Sequence, residues 1–303
     1  MDEAKIPLLV LAGPTASGKT TLAIDLALAL NGEVVSADSM QVYKGMDIAT
    51  AKPTQQETRG VPHHLIKFVE PGERFSVAQY ASPAHAAIKE IHARGRLPIL
   101  CGGTGLYIQA VTENLNYAEG ELAHDHAGTW KELQLIDPAA AAKIHPNDQK
   151  RITHALALYH STGVTLTEQN LRSRRTPSPY DARMISLNAR ERQSLYDRID
   201  RRVDQMLAAG LLQEAKAQRA EARDTAAQAI GHKELEPFFL GQCTLEEAVE
   251  NLKRETRRYA KRQLSWFRRM AAEWNERNPG TCVELFIEDD TLLEQALRFA
   301  QNL

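Results

Sequence analysis

IPLLVLAGPTASGKT, residues 6–20, decides the fold. Its first half, Ile6 to Leu11, is a continuous apolar run of strand length that stops at Gly13, the pattern of a strand buried on both faces of a sheet. The second half, Gly13-Pro14-Thr15-Ala16-Ser17-Gly18-Lys19-Thr20, satisfies G-x-x-x-x-G-K-[ST]. Behind it, the alanine-rich, proline-free stretch 18–30 favours a helix. Strand, loop and helix in that order turn successive backbone N–H groups toward one point, at the positive end of the helix dipole, and so make an anion nest. Lys19 adds a point charge, and Thr20 offers a hydroxyl to Mg²⁺. All eight residues are expected to hold a polyphosphate.

Outward from this loop the first third of the chain alternates strands and helices. Glu33 to Ala37 reads as a strand after an Asn31-Gly32 turn, His63 to Val69 as a strand-like run, Ser76 to Arg94 as a helix, and Pro98 to Cys101 as a strand running into Gly102-Gly103. Alternation at this spacing means parallel βαβ units with right-handed crossovers. After about Thr112 the pattern turns helical, with pieces near 129–143 and 148–161, a Pro/Ser/Arg-rich linker at 173–180 and one possible strand at Met184–Leu187. Amphipathic helical segments follow at 191–220 and 244–275, then a strand-helix pair at 282–302. The expected architecture is α/β. A P-loop NTPase-like parallel sheet core flanked by helices, residues 1–113 and about 203–303, carries a mostly helical inserted domain at about 114–202.

Composition narrows the function classes. A chain of 303 residues is long enough for about two domains and a core without staples. Apolar residues at 43% and charged residues at 25% are ordinary for a globular protein, which excludes a disordered, collagenous or coiled-coil chain. No run of 18 apolar residues exists, and glycine and proline follow the N-terminus too soon for a signal segment, so a cytoplasmic protein without a membrane partner is expected; a monomer is a separate expectation. The three cysteines are scattered and odd in number, which gives neither a disulfide framework nor a zinc set. Net charge is −2, yet residues 251–269 carry eight Lys/Arg against one Glu, and residues 172–202 carry nine Arg against four acids. Two basic stripes therefore lie on an acidic body.

A phosphate loop specifies a polyphosphate and not its hydrolysis. Nucleoside triphosphate hydrolases place a second acid at the tip of a later apolar strand, but here that strand ends in Leu97-Pro98-Ile99-Leu100-Cys101-Gly102-Gly103-Thr104-Gly105. The acid that does stand at a strand end is Asp38. Side chains at the carboxyl ends of parallel strands line the ligand crevice, so Asp38 and the Gly102–Gly105 turn converge on the phosphate site. Spacing alone leaves Asp38 as either a site carboxylate or a loop cap, and Thr104 as either a reacting-site hydroxyl or a helix N-cap. Along 251–269 the basic residues fall at helical spacings, which suits a solvated helix as well as an RNA face. Tyr259 and Trp266 share one side of that helix and read as core packing.

GPTASGKT (13–20), SADSMQVYKGMDIATAKP (36–53), HHL (63–65), FSVAQY (75–80), GGTGLY (102–107), AIGHKE (229–234) and RRYAKRQLSWFRR (257–269) run through nearly the whole chain. In that order they resemble the tRNA dimethylallyltransferases, also called tRNA isopentenyltransferases. The resemblance implies transfer of a dimethylallyl group from dimethylallyl diphosphate to N6 of the adenosine 3′ of the anticodon, tRNA position 37, with Mg²⁺ as the metal. It implies that the phosphate loop holds the diphosphate leaving group, Asp38 accepts the amine proton, and Thr104 donates near the bridging oxygen. It places Asp38, Ser39, Met40 and Gln41 around the flipped adenine. Further tRNA contacts are implied at Gln149, Lys150, Arg151, Ile152 and Thr153 and, from the basic helix, at Arg258, Lys261 and Arg262. His232 stands where many members have tyrosine.

Two readings compete. A small-molecule kinase would use the same loop for ATP, with residues 114–200 as its lid, and would want an acid completing the magnesium shell. An RNA-binding switch module would bind nucleotide without covalent chemistry, and Asp38 would be dispensable to it.

Overall fold

A computed structural model of the chain describes residues 4–115, 128–174, 176–219, 226–301 and 303. It contains strands β1 (Ile6–Ala12), β2 (Gly32–Ser36), β3 (His63–His64), β4 (Leu97–Gly102), β5 (Tyr180–Asn188) and β6 (Cys282–Phe286). They form one sheet in the order β3-β2-β4-β1-β5-β6, parallel at every pairing. The apolar run that opens the chain thus becomes a central strand. Its residues alternate between faces, as strand geometry requires. Leu8 and Val10 join Val35, Leu100 and Met184 in one core cluster, while Leu9 and Leu11 join Val34, Ile99 and Ile185 in the other.

Helices cover both faces. α1 (Lys19–Ala29) and the C-terminal α12 (Leu292–Ala300) belong to the second cluster. α2 (Val77–Ala93) and α3 (Gly105–Thr112) belong to the first, together with Phe267, Met270 and Trp274 from the long α11 (Leu245–Arg277). Both α2 and α11 begin with a capping box, Ser76 with Gln79 and Thr244 with Glu247, so each start is encoded locally. α8 (Arg192–Ala208), α9 (Leu211–Gln218) and the short α10 (Glu236–Phe239) complete this body.

The chain divides into Met1–Val111 with Pro179–Leu303 as one unit and Thr112–Ser178 as the other. The second unit holds α4 (Trp130–Ile136), α5 (Pro138–Ala141), α6 (Gln149–Thr162) and α7 (Leu166–Ser173) around Leu133, Ile144, Ile152 and Leu156. The sequence places a helical insertion at about 114–202; the second boundary of this unit falls at 178. The reason is β5: residues 180–186 pair with β1 along its whole length, so they cannot leave the sheet with the insertion. The strand expected at 63–69 contracts to His63–His64, with Val69 making only an isolated bridge to Tyr43.

Candidate active site

The loop between β1 and α1 takes the shape its glycines permit. Gly18 sits at φ 81, left-handed, where a side chain is strained. A Cβ on Gly13 would lie 2.9 Å from the Leu187 Cβ, so the loop packs tightly onto β5. Lys19 Nζ donates to the Pro14 carbonyl at 2.5 Å and draws the loop around its own ammonium.

Thr15, Lys19 and Thr20 line a cavity of about 350 Å³ together with Asp38, Ser39, Met40 and Gln41. All four residues of the 38–41 turn and Thr15, Lys19 and Thr20 of the loop therefore face one chamber. Asp38 Oδ1 accepts the backbone N–H groups of Met40 at 2.9 Å and Gln41 at 3.3 Å. Its Oδ2 makes no hydrogen bond among the described residues. Asp38 is thus a loop cap through one oxygen, while its other oxygen is free of hydrogen bonds among the described residues at the edge of the cavity. Thr104 Oγ1 accepts the Ser39 N–H at 2.9 Å and donates to Ser39 Oγ at 3.2 Å, so its hydroxyl is turned to the 38–41 turn.

Three groups at the cavity carry information that spacing did not. Arg202, one arginine among nine in a basic stripe, lines the chamber beside Lys19. Burial lowers the Lys19 pKa to about 8, with Arg202 working in the same direction and Cys101 and Asp38 opposing it. Burial likewise lowers that of Arg202, against the pull of Asp38. Two cations crowded in an enclosed space are stabilised by an anion of multiple charge. Gln263 is the second group: its Oε1 accepts the Thr15 N–H and its Nε2 donates to the Gly103 carbonyl, both at 2.8 Å. The third is Tyr259, expected in the core, which instead lines the cavity with Arg262 stacked 5.7 Å over its ring. Trp266 does pack against the core, with its indole over Gly105.

The basic helix divides its labour. Lys253 pairs with Asp204 at 2.6 Å and Arg257 with Asp200 at 2.7 Å, so these two hold α11 to α8. Arg258 is exposed and pairs with Glu255 at 2.6 Å; Lys261 is exposed without an ion pair among the described residues. In the inserted unit, Asp148 caps α6. Gln149 bonds the Gly128 carbonyl and Thr153, Lys150 and Arg151 are exposed, and Ile152 is fully buried. Ile152 is therefore a packing residue, and its expected contact with RNA is corrected.

For a metal, the cavity offers the Thr20 hydroxyl, and among the described residues no group of three or more His, Cys, Asp and Glu stands together. His63 lines the cavity with its Nδ1 on the Val61 carbonyl and its Nε2 without a partner among the described residues, and His64 Nε2 meets Glu33; His124 and His126 lie outside the described residues.

Residues 41–270 match the model of the family described as IPP transferase, and residues 6–69 match isopentenyl transferase. The chain belongs to the IPP transferase family. A tRNA dimethylallyltransferase of Halalkalibacterium halodurans is 50% identical over 282 residues, 88% of this chain and 90% of the relative. One from Bacillus subtilis is 46% identical, over 94% and 95% of the two chains. The solved tRNA isopentenylpyrophosphate transferase of Bacillus halodurans superposes with a TM-score of 0.73 at 43% identity, covering 98% and 96%. A eukaryotic dimethylallyltransferase described as acting on tRNA reaches 0.76 at 32% identity, covering 95% of this chain and 77% of that one. For an IPP transferase, a cavity joining a phosphate loop to a carboxylate is the arrangement the chemistry asks for.

Proposed function

We propose that this chain transfers the dimethylallyl group of dimethylallyl diphosphate to N6 of the adenosine 3′ of the anticodon in tRNA, position 37, and releases diphosphate. The names of its relatives support the reaction class. The observation that carries the reading here is that Lys19 and Asp38 face the same cavity.

The reaction forms a C–N bond and breaks an allylic C–O bond. An exocyclic amine is a weak nucleophile because its lone pair is delocalised into the ring. A carboxylate taking its proton as the bond forms supplies about 10²- to 10⁴-fold, and Asp38 Oδ2 is the acceptor. The electron pair of the C–O bond leaves on the diphosphate, whose growing charge meets Lys19, Arg202 and the loop amides. Thr20 would hold Mg²⁺, which would supply further neutralisation of the leaving diphosphate. Gly13, Pro14, Ala16, Ser17 and Gly18 shape the cradle and do not react. The adenine leaves its stack to reach Asp38, as bases that undergo chemistry do, and Ser39, Met40 and Gln41 wall its pocket. Arg258, Lys261 and Arg262, with Gln149, Lys150, Arg151 and Thr153 of the insertion, contact RNA.

Incubation with dimethylallyl diphosphate, Mg²⁺ and unmodified tRNA should add one prenyl group, read by nucleoside mass analysis. Asp38→Ala should lose the product while retaining tRNA binding. A phosphorylated product from ATP and nucleosides, with none from the prenyl donor, would reverse the assignment in favour of a kinase. Full biological activity of Asp38→Ala would favour a binding switch.

A further inference from the structure

Gln263 is 6% exposed and lies on α11, 248 residues from Thr15 and 160 from Gly103. Tyr259 is a further side-chain partner of Gln263, and the two backbone partners force the orientation of its amide, since the Thr15 N–H only donates and the Gly103 carbonyl only accepts. The fit is close: a Cβ on Gly103 would lie 2.5 Å from Gln263 Nε2. From Gly103 the backbone passes to Thr104, whose hydroxyl bonds Ser39, next to Asp38. One buried side chain thus completes a continuous polar bridge from the phosphate cradle to the acid.

We propose that Gln263 is a positioning residue that sets the placement of Asp38 and Thr104 relative to the leaving diphosphate. The proposal rests on the prenyl-transfer reading. The cradle keeps its own shape through the left-handed Gly18 and the Lys19–Pro14 bond. Loss of Gln263 should therefore spare diphosphate binding and damage the alignment of acid and leaving group, where a misplacement of about 1 Å costs about 10²-fold.

The test uses the full chain with Gln263→Met, which keeps volume without hydrogen bonds, and Gln263→Glu. A protonated glutamic acid reproduces the amide's pattern, accepting from Thr15 and donating to Gly103, whereas the carboxylate repels the Gly103 carbonyl. Gln263→Met should lower kcat about 10- to 100-fold, with the Kd for inorganic diphosphate, measured by calorimetry, within about threefold. Gln263→Glu should be as poor at pH 8, but its kcat relative to wild type at the same pH should recover at least about fivefold by pH 6, as the buried acid takes up its proton. A role in stability alone predicts a lowered Tm with wild-type kcat per folded molecule and no such recovery. That result overturns the proposal, as does diphosphate affinity falling in step with kcat. A wild type that prenylates no tRNA overturns both readings, whereas an active wild type beside fully active variants overturns this one alone.

Discussion

Thr104 Oγ1 lies 2.9 Å from the Ser39 nitrogen and 3.2 Å from Ser39 Oγ, 65 residues apart in sequence, and this contact joins the tip of β4 to the tip of β2. A helix cap alone would be replaceable, but a hydroxyl that both accepts and donates beside Asp38 is not. Thr104→Val keeps the shape and loses both bonds. By releasing the 38–41 turn it should misplace Asp38 and lower the prenylation rate about 10²-fold, with Thr104→Ser within about threefold of wild type. A valine variant as fast as wild type would remove the hydroxyl from the reaction.

Lys19 has its pKa lowered to about 8, chiefly by burial. A bound anion favours the ammonium and raises that value, so affinity belongs to the protonated form. Diphosphate binding should be full below pH 8 and weaken toward tenfold per pH unit above it. The guanidinium of Lys19→Arg does not titrate in this range, so the loss above pH 8 should be absent from that variant; calorimetry from pH 7 to 9.5 compares the two slopes.

Glu214 accepts the backbone N–H groups of Asp47 and Ile48 at 2.7 Å and of Ala49 at 2.9 Å, and sits 3.2 Å from His232 Nε2. Burial works to raise its pKa, but His232 and these amides outweigh it and hold it below the usual carboxylate value. Its contribution is present above pH 4.5 and lost as pH falls through the folded value. The residues it caps lead to Thr50 and Ala51, whose carbonyls receive the Gln41 amide. Glu214→Ala strands three N–H groups and should cost about 2–4 kcal/mol, read by urea unfolding at pH 7. An unchanged midpoint would show that the 47–49 turn stands without it.

Gly102 admits no side chain: a Cβ there would lie 2.0 Å from the Ala37 carbonyl oxygen. Gly102→Ala must push β2 from β4 where Ser39 and Thr104 meet. The variant should lose more than about 10 °C in Tm or fail to fold, because such overpacking displaces backbone. A scanning-calorimetry trace like that of wild type would contradict this.

Much of the site was legible because it is written in local chemistry. The phosphate loop needs only its glycines, its lysine and the elements on either side. Asp38 stands out as a candidate because the carboxyl end of a parallel strand is a place that topology aims at ligands, and it lines the cavity that Lys19 lines. Arg202 and Gln263 were not legible in this way. Nothing within a few residues distinguishes Arg202 from the other arginines of its stripe, and a glutamine in a basic helix shows no period or motif of its own. The boundary at 178 escaped for a related reason: Tyr180–Asn188 follows a helical region, and its place beside β1 depends on pairing across the sheet.

The sequence by itself determined the parallel α/β order, the cradle and the strand-tip acid, since backbone propensity and short-range spacing are properties of adjacent residues. Only the tertiary structure decided that Asp38, Arg202, Tyr259 and Gln263 share one chamber with Lys19. Their meeting depends on how α8 and α11 pack onto the sheet, and packing is a sum over contacts between residues that the chain keeps far apart.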